Sequence, residues 1–477
     1  MTITLTGVDG ASRQLTDEAV EALRAGLRGS LLDRPLDPEQ EPRPAWNPMH
    51  DGRAALTARC SGTADVVDAV RFAREHGLLV AVRGGGHSVS GLSTVSDGLL
   101  IDLSAMNGVQ VDPLRRLAHV QGGALWGDVD RETQVIGLAT PGGVVSDTGV
   151  AGLTLGGGYG WLRRRYGLSS DNLVEAQVVC ADGTVRTASA DSEPDLFWAL
   201  RGGGGNFGVV TSFTFRLHPV GPIVAFAAPF YPLEDLRQIL EGWRDYTATA
   251  PDDVTSVVLT ITFPAVPGMP EVIHDRRVAI VGGVYAGDPD RGAEVLAPLR
   301  ELATPLFDMS GPTPFTAVQS GFDAFFPRQT LRSYWKSQYL DSLSDEAIAA
   351  IDAAAQDRPA PITLVNTFHM GGALSAVDPE STAFAQRQPP YMVSIDGMWT
   401  DPDQDRSIVS WVRSRWDEVR KHGTGAVYLN FTGLDDEPVR AGTDTAFGRN
   451  LLRLGQVKAQ YDPTNLFQVN NNVTPAS

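Results

Sequence analysis

Cysteine is scarce in this chain. Only Cys60 and Cys180 occur in 477 residues, far apart and in no metal-ligand spacing. A disulfide framework is not expected. CxxC and HExxH patterns are missing, so no zinc site is visible. Positive charge is also short, with 39 Lys and Arg against 57 Asp and Glu and a net charge of −18. Nucleic acid, whose phosphates demand basic side chains, is excluded as a partner, and an anionic membrane surface is disfavoured. No uncharged apolar run approaches the ~18 residues of a membrane helix. The opening MTITLTGVDGASRQ has no basic stretch followed by an apolar one, so no secretory signal is seen. The expectation is a soluble, acidic, cytoplasmic protein. No heptad run speaks to its oligomeric state.

What is present is ordinary globular composition, 42% hydrophobic and 20% charged, in a chain long enough to bury a sizeable core. TDEAVEALRAGL near the start reads as a helix, and RPLDPEQEPRP as a linker. In SGTADVVDAVRFAREHG, Val66, Val67, Val70 and Ala73 recur at helical spacing, with Thr63 as N-cap and Gly77 closing the helix. LLVAV, GLLIDLSAM and RRLAHVQGG read as strands and ALWGDVDRETQVIG as a helix. Residues 139–160 are so diluted by glycine that loop with short turns is expected. LVEAQVVCADGTVRTAS is a hairpin turning at Asp182-Gly183. Composition shifts after Pro222. Alternating strands follow (SVVLTITF, RVAIVGGVYAG, ITLVNTFHMGGAL, YMVSIDGMW, GAVYLNF) with helices between them, so a large antiparallel sheet covered by helices is expected. The tail contains a helix, a turn at Asp462-Pro463 and an Asn-rich end.

Glycine collects at 84–86, 156–158 and 202–205. Such clusters suit a backbone that approaches a ligand or forms an anion nest, and a dinucleotide pyrophosphate is the natural guest. Unrelated flexible turns are the plainer alternative. Gly203, Gly205 and Gly208 satisfy GxGxxG, but that loop opens a strand and not a helix, so a Rossmann site is rejected. RGGGHSVSG at 83–91 delivers His87 from a glycine loop. A surface or phosphate-binding role is the bland reading. A neutral imidazole is also a nucleophile, able to attack the 8α-methyl of a flavin.

VAVRGGGHSVSG, GLTLGGGYGWLRRRYGLSSDNL, GGGGNFGVVTSF and YDPTNLFQVNNNV resemble the FAD-linked oxidases of the berberine-bridge-enzyme type, within the vanillyl-alcohol-oxidase/PCMH flavoprotein superfamily. The motifs run from about residue 60 to the C-terminus in the family's order. The resemblance implies an α+β fold with a lead-in at 1–44, a two-subdomain PCMH-type FAD domain at 45–222, a substrate domain at 223–435, and a segment at 436–477 returning to the FAD domain. It implies that Arg83, Gly84, Gly85, Gly86, His87 and Ser88, with Gly91, hold the FAD pyrophosphate, His87 also carrying an 8α-histidyl bond. Pro141, Gly142, Gly143, Gly149, Gly152, Gly156, Gly157 and Gly160 would line the flavin and diphosphate. Gly205 and Val210 would lie near the adenosine, and Asn470 and Asn472 would reach the flavin from the tail.

Many relatives carry a second tether, a cysteine in a stretch like GTCPTVGV. This chain has GGVVSDTGV there, with Val145 nearest the cysteine position, so a single bond through His87 is expected. AVYLNFTG resembles the family's Tyr-x-Asn strand. Tyr428 and Asn430 would share one face, Tyr428 serving as base, Asn430 orienting the substrate and Lys336 lowering the phenol's pKa. Tyr339, Tyr391, His369 and Trp399 are further pocket candidates, each more readily core; His119 and His218 receive no role. The expected activity is oxidation of a hydroxyl-, amine- or ring-closing organic substrate, with O2 returning the flavin to its oxidised form and giving hydrogen peroxide. A dehydrogenase with another acceptor, or a flavin-binding protein without turnover, are the alternatives.

Overall fold

The computed structural model describes residues 2–33, 43–50, 52–433 and 445–477. Most of the Pro-rich linker lies outside them. The chain opens with a hairpin, Thr2–Thr6 and Ser12–Thr16, then the helix Asp17–Gly26, whose first turn is capped by the Thr16 side chain. Strand Ser30–Asp33 pairs with Leu56–Arg59, so the lead-in contributes an edge to the first sheet. That sheet continues through Leu99–Asp102 to Val80–Arg83 by parallel pairing.

Helix Thr63–His76 buries Val66, Ala69, Val70 and Ala73, the stripe its spacing predicts. Its N-cap is Gly62, one residue earlier than expected, because the Thr63 hydroxyl donates instead to Gln177 Oε1 at 2.8 Å. It ends at Gly77, in the left-handed conformation with φ 60°. The strand Val80–Arg83 then aims the chain into the first glycine cluster.

A second, five-stranded antiparallel sheet runs Val185–Ser189, Leu173–Val179, Val209–Arg216, Leu117–Gln121, Val109–Asp112. The hairpin at Asp182-Gly183 is present. The third glycine cluster leads into the strand Val209–Arg216 and not a helix, as the sequence context required. Within 139–160 a six-residue helix, Val150–Leu155, replaces part of the expected loop.

Beyond residue 222 lies a nine-stranded antiparallel sheet. Strand alternation divides its two faces. Val258, Val281, Val365 and Ile395 pack with Leu240, Trp243, Ile348, Ile351 and Val412 of the helices Leu236–Thr247, Asp345–Gln356 and Asp405–Arg420. Val257, Leu259, Ile280 and Leu364 belong to the opposite face, turned toward the glycine loops. The strand Arg332–Leu340 at its edge was not expected as a whole element. GAVYLNF, expected as a strand, is irregular and ends in a short 3-10 turn, Leu429–Phe431.

Helix Leu451–Tyr461 returns to the second sheet's core through Leu454 and Val457. Lys458 and Asp462 form a fully buried ion pair at 2.7 Å. Lys458 also donates to the carbonyls of Asn206 and Phe467, while Asp462 accepts from the Leu466 and Phe467 amides. A buried pair is tolerated when its remaining donors and acceptors are met. Here the pair fixes the Asn-rich tail against the third glycine cluster. No helix among the described residues is long and apolar enough to cross a membrane.

Candidate active site

The first glycine cluster packs backbone to backbone against Gly149 and Gly122. A Cβ at Gly85 would stand 2.3 Å from the Gly149 Cα, and one at Gly84 would stand 2.7 Å from the Gly122 carbonyl oxygen. No larger residue fits such approaches. A Cβ at Gly156 would strike the Asn430 amide at 2.1 Å. These contacts frame a continuous cavity that runs from the glycine loops to the inner face of the large sheet.

Arg328 clamps the frame. Its guanidinium pairs with Asp147 at 2.8 Å and donates to the Gly85 and Pro44 carbonyls. Ser146 N donates to Asp323 Oδ1 at 2.8 Å, adding a second link between the loops.

His87 lines the cavity. Its Nε2 is buried without a hydrogen-bond partner. Trp46 lies flat against the ring, centroids 4.6 Å apart and planes at 16°. Burial, and then the Arg328 guanidinium, depress the imidazole's pKa to about 3. The ring is therefore neutral and has a lone pair to give.

Gly84, Gly85, Gly86, Ser88, Gly143, Val145, Gly149, Gly152, Gly156, Gly205, Val210 and Asn470 line the same cavity. Gly152 and Gly205 are unlike the packed glycines, since a Cβ at either would meet nothing within 4 Å. They border open space within the cavity. Asn470 donates to the Gly205 and Phe467 carbonyls, while its Oδ1 is buried without a partner. An extended cradle of backbone groups with orphan polar atoms at His87 and Asn470 fits a dinucleotide.

The other expected residues stand behind this surface. Arg83 is buried and donates to the Ser93 and Arg43 carbonyls, fixing the loop. Gly91, at φ 77°, gives room to the His50 ring. Gly142 packs on Trp126, Gly160 on the Gly142 carbonyl, and Gly157, at φ 108°, on Phe384. Pro141 is buried beside them, and Asn472 holds its Oδ1 buried without a partner. Val145 presents an apolar, 6% exposed side chain, and both cysteines are buried elsewhere.

Tyr428 and Asn430 do meet, though through a turn and not a strand. The Asn430 side-chain amide donates to Tyr428 Oη at 2.8 Å and to the Leu153 carbonyl. The Gly158 amide also donates to that oxygen, at 3.2 Å. Burial pushes the phenol well above its ordinary pKa despite these bonds. Lys336 does not approach it: its Nζ sits 4.1 Å over the Trp416 ring, on the helix-covered side of the sheet, while the neighbouring Trp335 lines the cavity. Alternation along one strand separates the two. Tyr339, Tyr391, His369 and Trp399 are buried and do not line the cavity.

The sheet instead offers a carboxyl that the sequence reading passed over. Asp396 lines the cavity and is 2% exposed. It accepts from Asn366 Nδ2 at 2.7 Å and from the Ser394 hydroxyl. Burial raises its pKa to about 7, against those two hydrogen bonds. The signal was present in YMVSIDGMW, where Asp396 follows Ser394 on an inward row bounded by Met392 and Met398.

Known proteins resemble this chain in sequence and fold. The FAD binding domain family matches residues 54–189, and the berberine and berberine-like family matches residues 427–474. An FAD-linked oxidoreductase of Bacillus subtilis, YgaK, is 30% identical over 94% of this chain and 97% of its own length. FAD-linked oxidoreductase pgmH of Aspergillus terreus is 31% identical over 95% of both chains. The solved structure of Physcomitrella patens BBE-like 1 superimposes with a TM-score of 0.85 at 24% identity, covering 96% of this chain and 99% of that one. The fold is thus the α+β, PCMH-type flavoprotein architecture. With relatives at this identity matched over nearly their whole length, the chain belongs to the berberine-bridge-enzyme-like family of FAD-linked oxidoreductases.

Proposed function

We propose that this enzyme is an oxidase that holds FAD covalently through His87 alone and oxidises a small organic substrate bearing a hydroxyl or amine. The observation that carries the reading is His87: a neutral, desolvated imidazole at the edge of a glycine-lined cavity, braced by Trp46. Such a ring is a competent nucleophile toward the 8α carbon. Gly152 and Gly205 would admit the cofactor's backbone-hugging parts, and Asn470 would offer it an acceptor. Val145 supplies no thiol for a second bond.

A bound flavin would supply the hydride acceptor for the substrate carbon and, with O2 as the final acceptor, the route to hydrogen peroxide. The proton released from the substrate's hydroxyl or amine falls to the chain. Asp396 is the group poised to receive it, since a general base works best with a pKa near the working pH. Asn366 and Ser394 hold its two oxygens in place. Tyr428 is assigned another part: burial holds its proton tightly despite the two N–H bonds its oxygen accepts, so it serves as a donor that orients the bound molecule.

The test is acid precipitation followed by peptide mass analysis. Flavin retained on the peptide containing His87 supports the tether; flavin released to the supernatant refutes it. One molecule of peroxide per substrate oxidised in air supports the oxidase over a dehydrogenase; turnover with artificial acceptors alone contradicts it.

A further inference from the structure

Arg328 lies between the 3-10 turn Asp323–Phe325 and the edge strand Arg332–Leu340 of the large sheet, yet its bonds reach elsewhere. Nη1 donates to the Pro44 carbonyl at 2.8 Å, Nη2 to the Gly85 carbonyl at 2.9 Å, and Nε to Asp147 Oδ2 at 3.1 Å. One guanidinium thus ties together three segments that are remote from it and from one another in sequence. It also presses on the residue before His87, since a Cβ at Gly86 would stand 3.2 Å from Nη1.

Those three segments are the ones that aim the imidazole. Gly85 and Gly86 lead directly into His87. The segment of Pro44 carries Trp46, which stacks on His87 and donates from its backbone to the Gly86 carbonyl at 2.7 Å. Asp147 lies two residues before Gly149, whose backbone packs on Gly85. The neighbours of Arg328 repeat the pattern. The Phe326 carbonyl accepts from the Trp46 indole at 2.9 Å, the Gln329 amide donates to the Trp46 carbonyl at 2.9 Å, and Asp323 accepts from Ser146. His87 Nε2 has no hydrogen-bond partner. The direction of the ring is therefore set by the stack and by the loop beneath it, and both are held from the side of the large sheet.

Forming a bond inside a bound complex needs the reacting atoms close and in line, and a small displacement lowers the rate steeply. Arginine suits the task of holding three loops, because its rigid fork offers donors in several directions and a permanent charge. The charge has a second effect. After burial, it is the strongest influence that keeps the His87 imidazole neutral, the form that is nucleophilic.

We propose that Arg328 is a positioning residue for covalent flavin attachment, and that coupling at His87 waits until the segment 323–329 has closed on the glycine loops. This rests on the reading of His87 as the tether. In the coupling, the imidazole gives up its N–H proton, the 8α carbon gives up one hydrogen, and a C–N bond forms. The two protons and two electrons released leave as hydrogen peroxide, with O2 as the oxidant. FAD seated before closure is held without a covalent bond.

The test compares purified full-length wild type, Arg328→Ala and Arg328→Lys. Absorbance reads total flavin, acid precipitation reads acid-stable flavin, and both are followed after FAD is added in air. Arg328→Ala should hold total flavin within about twofold of wild type, with an acid-stable share at least about tenfold lower that climbs slowly on incubation. Arg328→Lys keeps the charge but not the fork and should fall between the two. A wild-type acid-stable share in Arg328→Ala overturns the proposal. So does a loss of acid-stable flavin that only tracks a loss of total flavin, the result a merely structural arginine would give. Should Arg328→Ala fail to fold, Asp147→Asn decides, since it keeps the shape of the side chain and removes the anion that holds the guanidinium. Coupling slowed by about threefold or more supports the proposal, and coupling at the wild-type rate overturns it. Flavin wholly released from wild type sinks the tether reading and this proposal together, whereas tethered flavin in both wild type and Arg328→Ala sinks this proposal alone.

Discussion

Trp46 and His87 lie ring on ring, 4.6 Å between centroids and 16° between planes. Trp46 is itself immobilised: fully buried, it donates from its indole to the Phe326 carbonyl and from its backbone to the Gly86 carbonyl. The stack therefore fixes the imidazole plane from a segment outside the glycine loop. Replacing Trp46 by Ala should lower the fraction of acid-stable flavin and cost about 3–5 kcal/mol of stability. Trp46→Phe should recover most of the covalent fraction. Quantifying precipitated against released flavin measures both.

Asp396 should govern the pH dependence of substrate oxidation. The carboxylate form is the base, so anaerobic reduction should rise with pH and level off, with a midpoint near its pKa of about 7. Asp396→Asn should slow reduction by about 10²–10⁴-fold and remove that midpoint.

The same group should cost stability. Its folded pKa lies above the ordinary carboxyl value, so the unfolded chain gives up this proton first as pH rises. Stability from this group is full below about pH 4 and falls as pH climbs through about 7. At pH 8, Asp396→Asn should therefore unfold at a temperature no lower than wild type while remaining inactive. A variant that is both inactive and markedly less stable at pH 8 would point to a structural role.

Tyr428 and Lys336 should separate in function. Lys336→Ala should leave turnover within about twofold, since its ammonium packs on Trp416 outside the cavity. Tyr428→Phe should slow reduction by about tenfold, the worth of one hydrogen bond, without moving the midpoint. Stopped-flow reduction across pH 5–9 reads both.

Much of this fold was legible because periodicity survives burial. The helix Thr63–His76 and the hairpin at Asp182-Gly183 followed from spacing and turn chemistry alone. The glycine clusters announce close backbone approach, and the Gly85 and Gly149 contact is that approach, whereas the role expected of His87 came from the resemblance of its motif. Asp396 was missed because its meaning lies in desolvation by Leu364 and Trp335, which come from strands far away in sequence. Lys336, expected as the cation beside the Tyr428 phenol, misled for the same reason: the sequence does not say which sheet face it takes. Tyr428 and Asn430 were paired correctly on a wrong premise, since a turn and not a strand brings them together.

Two glycines test the cradle apart from the packing. Gly152→Ala and Gly205→Ala add a methyl group where nothing lies within 4 Å. The flavin-free proteins should keep wild-type melting temperatures, while FAD affinity drops by about tenfold or more. Gly85→Ala, by contrast, should fail to fold properly, because its Cβ would meet the Gly149 backbone at 2.3 Å.

The most direct measurement is the mass of the His87 peptide. Purified enzyme is precipitated with acid, digested, and searched for FAD on the peptide containing RGGGHSVSG. One FAD per chain on that peptide in wild type, and free FAD from His87→Ala, is the expected result. Acid-stable flavin persisting in His87→Ala, or flavin fully released from wild type, would contradict the tether.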